Sequence, residues 1–213
     1  MNVHFKKLAL IGIGLIGSSI ALAARRQGLV DTISIATRRQ ATLDEARDLK
    51  LGDIYTLDAA EAVRGADLVI LCAPVGAYGA LAEAIGPALE PGAILSDVGS
   101  VKAHVVRQVG PHVPDGVSFI PGHPIAGTEH SGPSAGFAEL FAGRWCVLTP
   151  TDGVPQADTD RLIAFWQAMG SMVECMDAAH HDMVLAITSH IPHLVAYNIV
   201  GTVADLEAAT QPE

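Results

Sequence analysis

Two sets of residues in this sequence could do chemistry. The first is Gly12-Ile13-Gly14-Leu15-Ile16-Gly17, a G-x-G-x-x-G near the start of the chain. In such a turn the first glycine permits a sharp bend and the second lets backbone approach a pyrophosphate. The third lets the following helix pack close to the strand. The unpaired N–H groups of that helix then face the phosphates. The second set is made of imidazoles, hydroxyls and carboxylates in three segments. Ser100 lies within Asp97-Val98-Gly99-Ser100-Val101-Lys102, and His123 and Glu129 lie within residues 122–132. His181, Asp182, Ser189 and His193 fall within residues 179–193. Histidine suits proton transfer because its pKa lies near operating pH. A serine such as Ser100, ahead of Val101-Lys102-Ala103, can cap a helix.

The residues after the second predicted strand bear on the cofactor. A domain that binds NAD usually places an acid there, about 20 residues past the glycines, to accept from the ribose 2′-hydroxyl. Here Ala36-Thr37-Arg38-Arg39 occupies that place, with no acid between Asp31 and Asp44. A hydroxyl and two guanidiniums suit a 2′-phosphate; the competing reading is two solvated arginines. The expected cofactor contacts are Gly12, Gly14, Leu15, Ile16, Gly17, Thr37, Arg38 and Arg39, with Ala73 and Pro74 at the end of the third strand. NADP is favoured and NAD is possible. No metal is expected, because no carboxylate or thiolate completes a ligand set with His180, His181, His190 and His193 at the usual spacing.

The elements that must position these groups alternate. Strands are predicted at 8–12, 32–37, 67–73 and 93–97, with further ones at 118–121, 145–148 and 172–176. Helices are predicted at 16–27, 41–50, 59–64, 79–89 and 158–169. Strands separated by helical stretches mean right-handed crossovers and a mostly parallel sheet. The fold class is therefore α/β, a doubly wound Rossmann-type sheet. Such a sheet carries ligands beyond the C-terminal ends of its strands, where the segments above lie. After Asp177 the texture changes to one long helical stretch, 178–209, interrupted only by Pro192. The expected domains are residues 1–177, for nucleotide binding, and 178–213, the start of an all-helical domain. Asp182, Ala186, Ser189 and His193 share one helix face, and Pro192 cannot donate to the carbonyl of Thr188, so a bend is expected beside the site.

Composition narrows the function classes. Half the residues are hydrophobic and 17% are charged, which allows a large core. A net charge of −10, with no basic stripe, argues against a nucleic-acid partner. Three scattered cysteines, Cys72, Cys146 and Cys175, read as free thiols in a reducing cytoplasm. The start of the chain, Lys6-Lys7 and then an apolar run to Ala24, mimics a signal peptide. Gly12, Gly14 and Gly17 within it fit the phosphate turn better. No other stretch offers roughly 18 to 20 apolar residues free of Gly, Pro or charge, so no membrane partner is expected.

Taken together, the glycine turn, the Asp97–Lys102 segment, His123-Pro124-Ile125-Ala126-Gly127-Thr128-Glu129-His130-Ser131-Gly132 and the 179–193 segment closely resemble the prephenate/arogenate dehydrogenase family. The likeness runs from residue 8 to about 200. It implies oxidative decarboxylation of a hydroxycyclohexadiene substrate, prephenate or arogenate, in tyrosine biosynthesis. Hydride leaves the carbinol carbon for the nicotinamide, the ring loses CO2, and aromatisation drives the step. It further implies that His123 takes the hydroxyl proton and that Ser100 orients its imidazole. Glu129, Ser189 and His193 would line the substrate pocket, with His181 and Asp182 supporting it. A homodimer is implied, built by a helical domain that continues for several dozen residues and supplies an arginine for a substrate carboxylate. No arginine follows Arg161, so the sequence reads as stopping early in that domain.

Two other readings compete. A β-hydroxyacid or imine reductase of the same build would carry a catalytic lysine or similar signature in the helical part, and none is seen. A non-catalytic NADP(H)-sensing module would need neither His123 nor Ser100.

Overall fold

The computed structural model describes residues 3–210; the outermost ends of the two expected domains, residues 1–2 and 211–213, lie outside the described residues. The chain opens with β1 (Phe5–Ile11), α1 (Leu15–Arg26), β2 (Val30–Ala36), α2 (Gln40–Asp48) and β3 (Ile54–Thr56). Then follow α3 (Ala59–Val63), β4 (Leu68–Leu71), α4 (Tyr78–Ile85), β5 (Ile94–Asp97), α5 (Ala103–Val109) and β6 (Ser118–Phe119). These six strands form one parallel sheet in the order β3-β2-β1-β4-β5-β6. The chain winds outward from β1 to β3, returns to β4, and winds out the other way. The order therefore reverses between β1 and β4, which opens a crevice at their C-terminal ends.

The apolar runs of the central strands follow from this architecture. Leu8 and Leu10 of β1 join a core that contains Ile33, Ile35, Phe141 and Trp166. Ala9 and Ile11 join a second core with Val69, Leu71 and Tyr78. Alternate residues face opposite sides, and both sides are covered by helices, so no position in the strand can be polar at little cost.

One mostly parallel sheet was expected to take every strand, but the last three form a sheet of their own. β7 (Gly122–Pro124) pairs antiparallel with β8 (Trp145–Leu148), and β8 pairs parallel with β9 (Met172–Cys175) through α6 (Gln156–Ala168). The short β7 carries His123 opposite Val147. It escapes a sequence reading because three residues containing a proline give no strand pattern, and proline is tolerated there only because β7 is an edge strand. β3, also three residues long, escapes for want of length.

The helical end of the chain begins with α7 (Ala178–Leu185), passes through a π-helical segment at Ala186–His190, and continues as α8 (Ile191–Thr210). The bend expected from Pro192 thus takes the form of a π turn immediately before it, where the i→i−4 ladder is reset. By length and mean hydropathy, Ala178–Leu206 is long and apolar enough to cross a membrane, with little of it buried. The sequence reading excluded it only because Pro192, Gly201 and Asp182 interrupt the run. Its first turns, however, are pinned to the parallel sheet's own helix α5, as described below.

Candidate active site

The glycine turn sits at the mouth of the crevice. Gly12 has a φ of 105°, and a Cβ there would lie 2.6 Å from the carbonyl carbon of Cys72 and 2.7 Å from the nitrogen of Ala73. The end of β4 therefore presses directly against the turn, which brings Ala73 and Pro74 beside it. A Cβ on Gly17 would meet the Gly12 carbonyl oxygen at 2.5 Å, whereas one on Gly14 would project into open space. Gly14 is the N-cap of α1 and makes no side-chain cap, and no acid stands in the helix's first turn. Leu15 and Ile16 begin the helix. This is a bare helix N-terminus with room in front of it, the arrangement a pyrophosphate requires. At the end of β2, Thr37 is half-buried and Arg38 and Arg39 are exposed. Among the described residues neither arginine forms an ion pair.

A cavity of about 430 Å³ opens beyond β5 and β7, lined by Ser100, His123, Pro124, Ile125, Ala126, Gly127, Arg144, Leu185, Ser189 and His190. His123 and Ser100 are thus brought to one space, together with Ser189 from the π segment. Glu129 and His193 are not. Glu129 is 82% exposed beside His130, and the ring of His193, one turn past the cavity, lies 2.9 Å from the carbonyl oxygen of Ser189.

Ser100 was read as a possible cap for the helix that follows. The structure instead starts α5 at Ala103, with Lys102 as the N-cap residue and no cap from its side chain. The cap comes from α7, where Asp182 accepts from the backbone N–H of Lys102 at 2.7 Å and of Ala103 at 3.0 Å. Nor is the serine the hydrogen-bonding partner of the imidazole's Nδ1. That atom lies 2.9 Å from Nε2 of His181, and Nδ1 of His181 lies 2.9 Å from Oδ1 of Asp182. His181 is fully buried.

Electrostatics keep His123 neutral. Burial lowers its pKa from 6.5 to about 3, helped by the neighbouring His181 and by the charge of Lys102. His123 therefore departs from the ordinary histidine pKa and is unprotonated over the whole neutral range.

Beneath the cavity lies an ion pair that sequence reasoning gave no role. Lys102 and Asp97 are both fully buried; Nζ lies 2.5 Å from Asp97 Oδ2 and donates to the Gly122 carbonyl at 2.6 Å. Asp97 also accepts from the N–H of Gly99 at 2.7 Å and of Gly122 at 3.1 Å. Burial pushes the carboxyl up and the ammonium down, each opposed by the other's charge. The pair fastens the end of β5 to the start of β7, one residue before His123. Arg144 and His190 were also missed. No local pattern marks Arg144, which reaches the cavity only because β8 pairs with β7.

Comparison with known proteins agrees with this geometry. The family model described as the prephenate dehydrogenase nucleotide-binding domain matches residues 20–175, and that of the prephenate dehydrogenase dimerization domain matches residues 177–212. A cyclohexadienyl dehydrogenase of Zymomonas mobilis is 44% identical over 203 residues, 95% of this chain and 69% of that protein. A prephenate dehydrogenase of Bacillus subtilis is 28% identical over 210 residues, which are 94% of this chain and 54% of that one. Among solved structures, the prephenate dehydrogenase of A. aeolicus in complex with hydroxyphenyl propionate and NAD+ superimposes with a TM-score of 0.88. The identity is 29%, over 96% of this chain and 71% of that one. The arogenate dehydrogenase of Synechocystis gives 0.83 at 30% identity, over 93% and 69%.

Proposed function

The chain belongs to the prephenate dehydrogenase family, and from that premise we propose that the protein oxidatively decarboxylates prephenate or arogenate, with His123 as its general base. The observation that carries this reading is the neutral imidazole of His123 in a cavity shared with Ser100 and Ser189. The residues present fit a nicotinamide dinucleotide: Gly12, Gly14, Leu15, Ile16 and Gly17 would hold the pyrophosphate, flanked by Ala73 and Pro74. When bound, the nicotinamide supplies the hydride acceptor. His123 takes the hydroxyl proton from the ring carbinol as its C–O bond becomes a carbonyl. Ser100 and Ser189 offer hydroxyls to the same substrate, and Arg144 offers a cation in the same cavity. Glu129 and His193 take part only if residues 128–132 and α8 move toward the cavity. Residues 1–177 are read as the nucleotide domain, and 178 onward as the start of the helical one, in a cytoplasmic enzyme.

Thr37, Arg38 and Arg39 favour NADP. The A. aeolicus complex holds NAD+, so the preference is proposed for this chain alone. NADP is expected to bind more tightly than NAD by about 1–3 kcal/mol, the scale of charge-assisted phosphate contacts. Titrating both nucleotides and following turnover of prephenate and arogenate with each tests both readings. Equal dissociation constants would remove the NADP preference, and no turnover of either substrate by the full-length protein would remove the activity.

The apolar side chains of α8 also call for a partner. Leu194, Val195, Tyr197, Ile199, Val200 and Val203 are each at least half exposed, on several faces of the helix. A helix apolar nearly all round is stable only when covered. We assign that role to a second subunit of a homodimer. Light scattering should find a dimer of the full-length protein at micromolar concentration; a monomer would refute it.

A further inference from the structure

We propose that Asp182 and His181 act as positioning residues that fix the tautomer of His123, so that its bare nitrogen faces the substrate cavity. Burial pushes the Asp182 carboxyl up, but the N–H of Lys102, the ring of His181 and the N–H of Ala103 outweigh it and hold the group below the ordinary aspartate range. An ionised carboxylate can only accept, so Nδ1 of His181 at 2.9 Å carries the proton. Burial keeps His181 neutral. Its Nε2 is then bare and must accept, which obliges Nδ1 of His123, 2.9 Å away, to be the donor. A neutral His123 that donates from Nδ1 is bare at Nε2, and no hydrogen bond among the described residues occupies that atom. The lone pair needed to take a hydroxyl proton is thereby left for the cavity.

The charged end of this relay is held from outside it. The N-terminus of α5 donates two backbone N–H groups to Asp182, and together they fix its orientation. When His123 gains a proton, the carboxylate charge two residues down the relay stabilises the resulting imidazolium, as a buried acid does behind a catalytic histidine. The relay crosses the assembly: His123 stands on β7, whereas His181 and Asp182 stand on α7.

Two substitutions at His181 in the full-length protein separate positioning from mere packing. His181→Leu removes the acceptor for Nδ1 and should lower kcat by about 10- to 100-fold, with KM and nucleotide affinity changed by less than about 3-fold. His181→Gln can accept from His123 with its carbonyl while its amide donates to Asp182, and it should recover most of that loss. Selective 15N labelling of histidine reads the same point directly in the parent protein, where Nδ1 of His123 should be protonated and Nε2 bare. A bare Nδ1 in the parent overturns the relay even if the leucine variant does not fold. Equal impairment of the leucine and glutamine variants, or parental kcat in both, overturns it as well. The proposal rests on His123 being the base. Parental kcat in a His123→Asn enzyme would remove that reading, whereas a protonated Nε2 in the parent would remove only the relay.

Discussion

His123→Asn in the full-length protein is expected to lower kcat by about 10²–10⁴-fold while leaving nucleotide affinity nearly unchanged. Proton transfer by a positioned side chain is worth that much, and the proposed nucleotide site, the Gly12–Gly17 turn, lies outside the substitution. Steady-state kinetics together with a nucleotide titration make the check, and near-parental kcat would transfer the role of base to another group of the cavity. Ser100→Ala should lose less, because its hydroxyl makes no hydrogen bond to the His123 ring. The pH dependence has a definite sign. With the His123 pKa at about 3, the base form persists well below pH 6.5, so kcat/KM should show no acid limb from this group between pH 5 and 7. The same burial couples to folding. The unfolded chain protonates this histidine near pH 6.5 and the folded one only near 3, so its contribution to stability is complete above about 6.5 and is lost progressively as pH falls toward 3.

The second large effect is expected on stability. Lys102→Met leaves the Asp97 carboxylate fully buried with its cation gone, which should cost about 3–5 kcal/mol. Adding Asp97→Asn to that variant removes the orphaned charge and should recover part of the loss, since the two sites share one interaction. Denaturant unfolding of the parent, the single and the double variant measures this. A single variant within about 1 kcal/mol of the parent would mean that the pair is solvated in solution. Because Lys102 Nζ also holds the Gly122 carbonyl, the single variant should loosen the strand that carries His123.

These two expectations differ in how far the sequence announced them. His123 was marked by a run of ten residues, and the glycine turn by its place between an apolar run and an Ala-rich helix. Both are local patterns, which is also why β1, β2, β4 and β5 and the helices α1 to α4 could be read to within a few residues, whereas the short β3 and α5 could not. The role of Lys102 was not legible, although the residue itself stood in a segment already singled out. Its partner is five residues away, but its burial depends on β7, which local propensity does not signal. Glu129 and His193 show where sequence position alone stops. Both sit in the right segments, yet the structure turns them to solvent, because adjacency along a loop or helix does not fix which side chain faces a cavity. His181 and Asp182 were expected to support the pocket. That they stand in series behind His123, His181 first and Asp182 next, required the distance between β7 and α7.

The cap that α7 lends to α5 has a consequence for how the molecule opens. Local unfolding proceeds in cooperative units, and a helix end whose amides are satisfied from another segment cannot fray independently of it. The amides of Lys102 and Ala103 are released only when Asp182 leaves, and with it goes the acceptor for His123. Departure of α7 therefore frees the first amides of α5 and removes the partner of the His123 ring in the same step. Asp177 marks where the texture of the chain changes, but His181 and Asp182, beyond it, are hydrogen-bonded to β7 and to the start of α5.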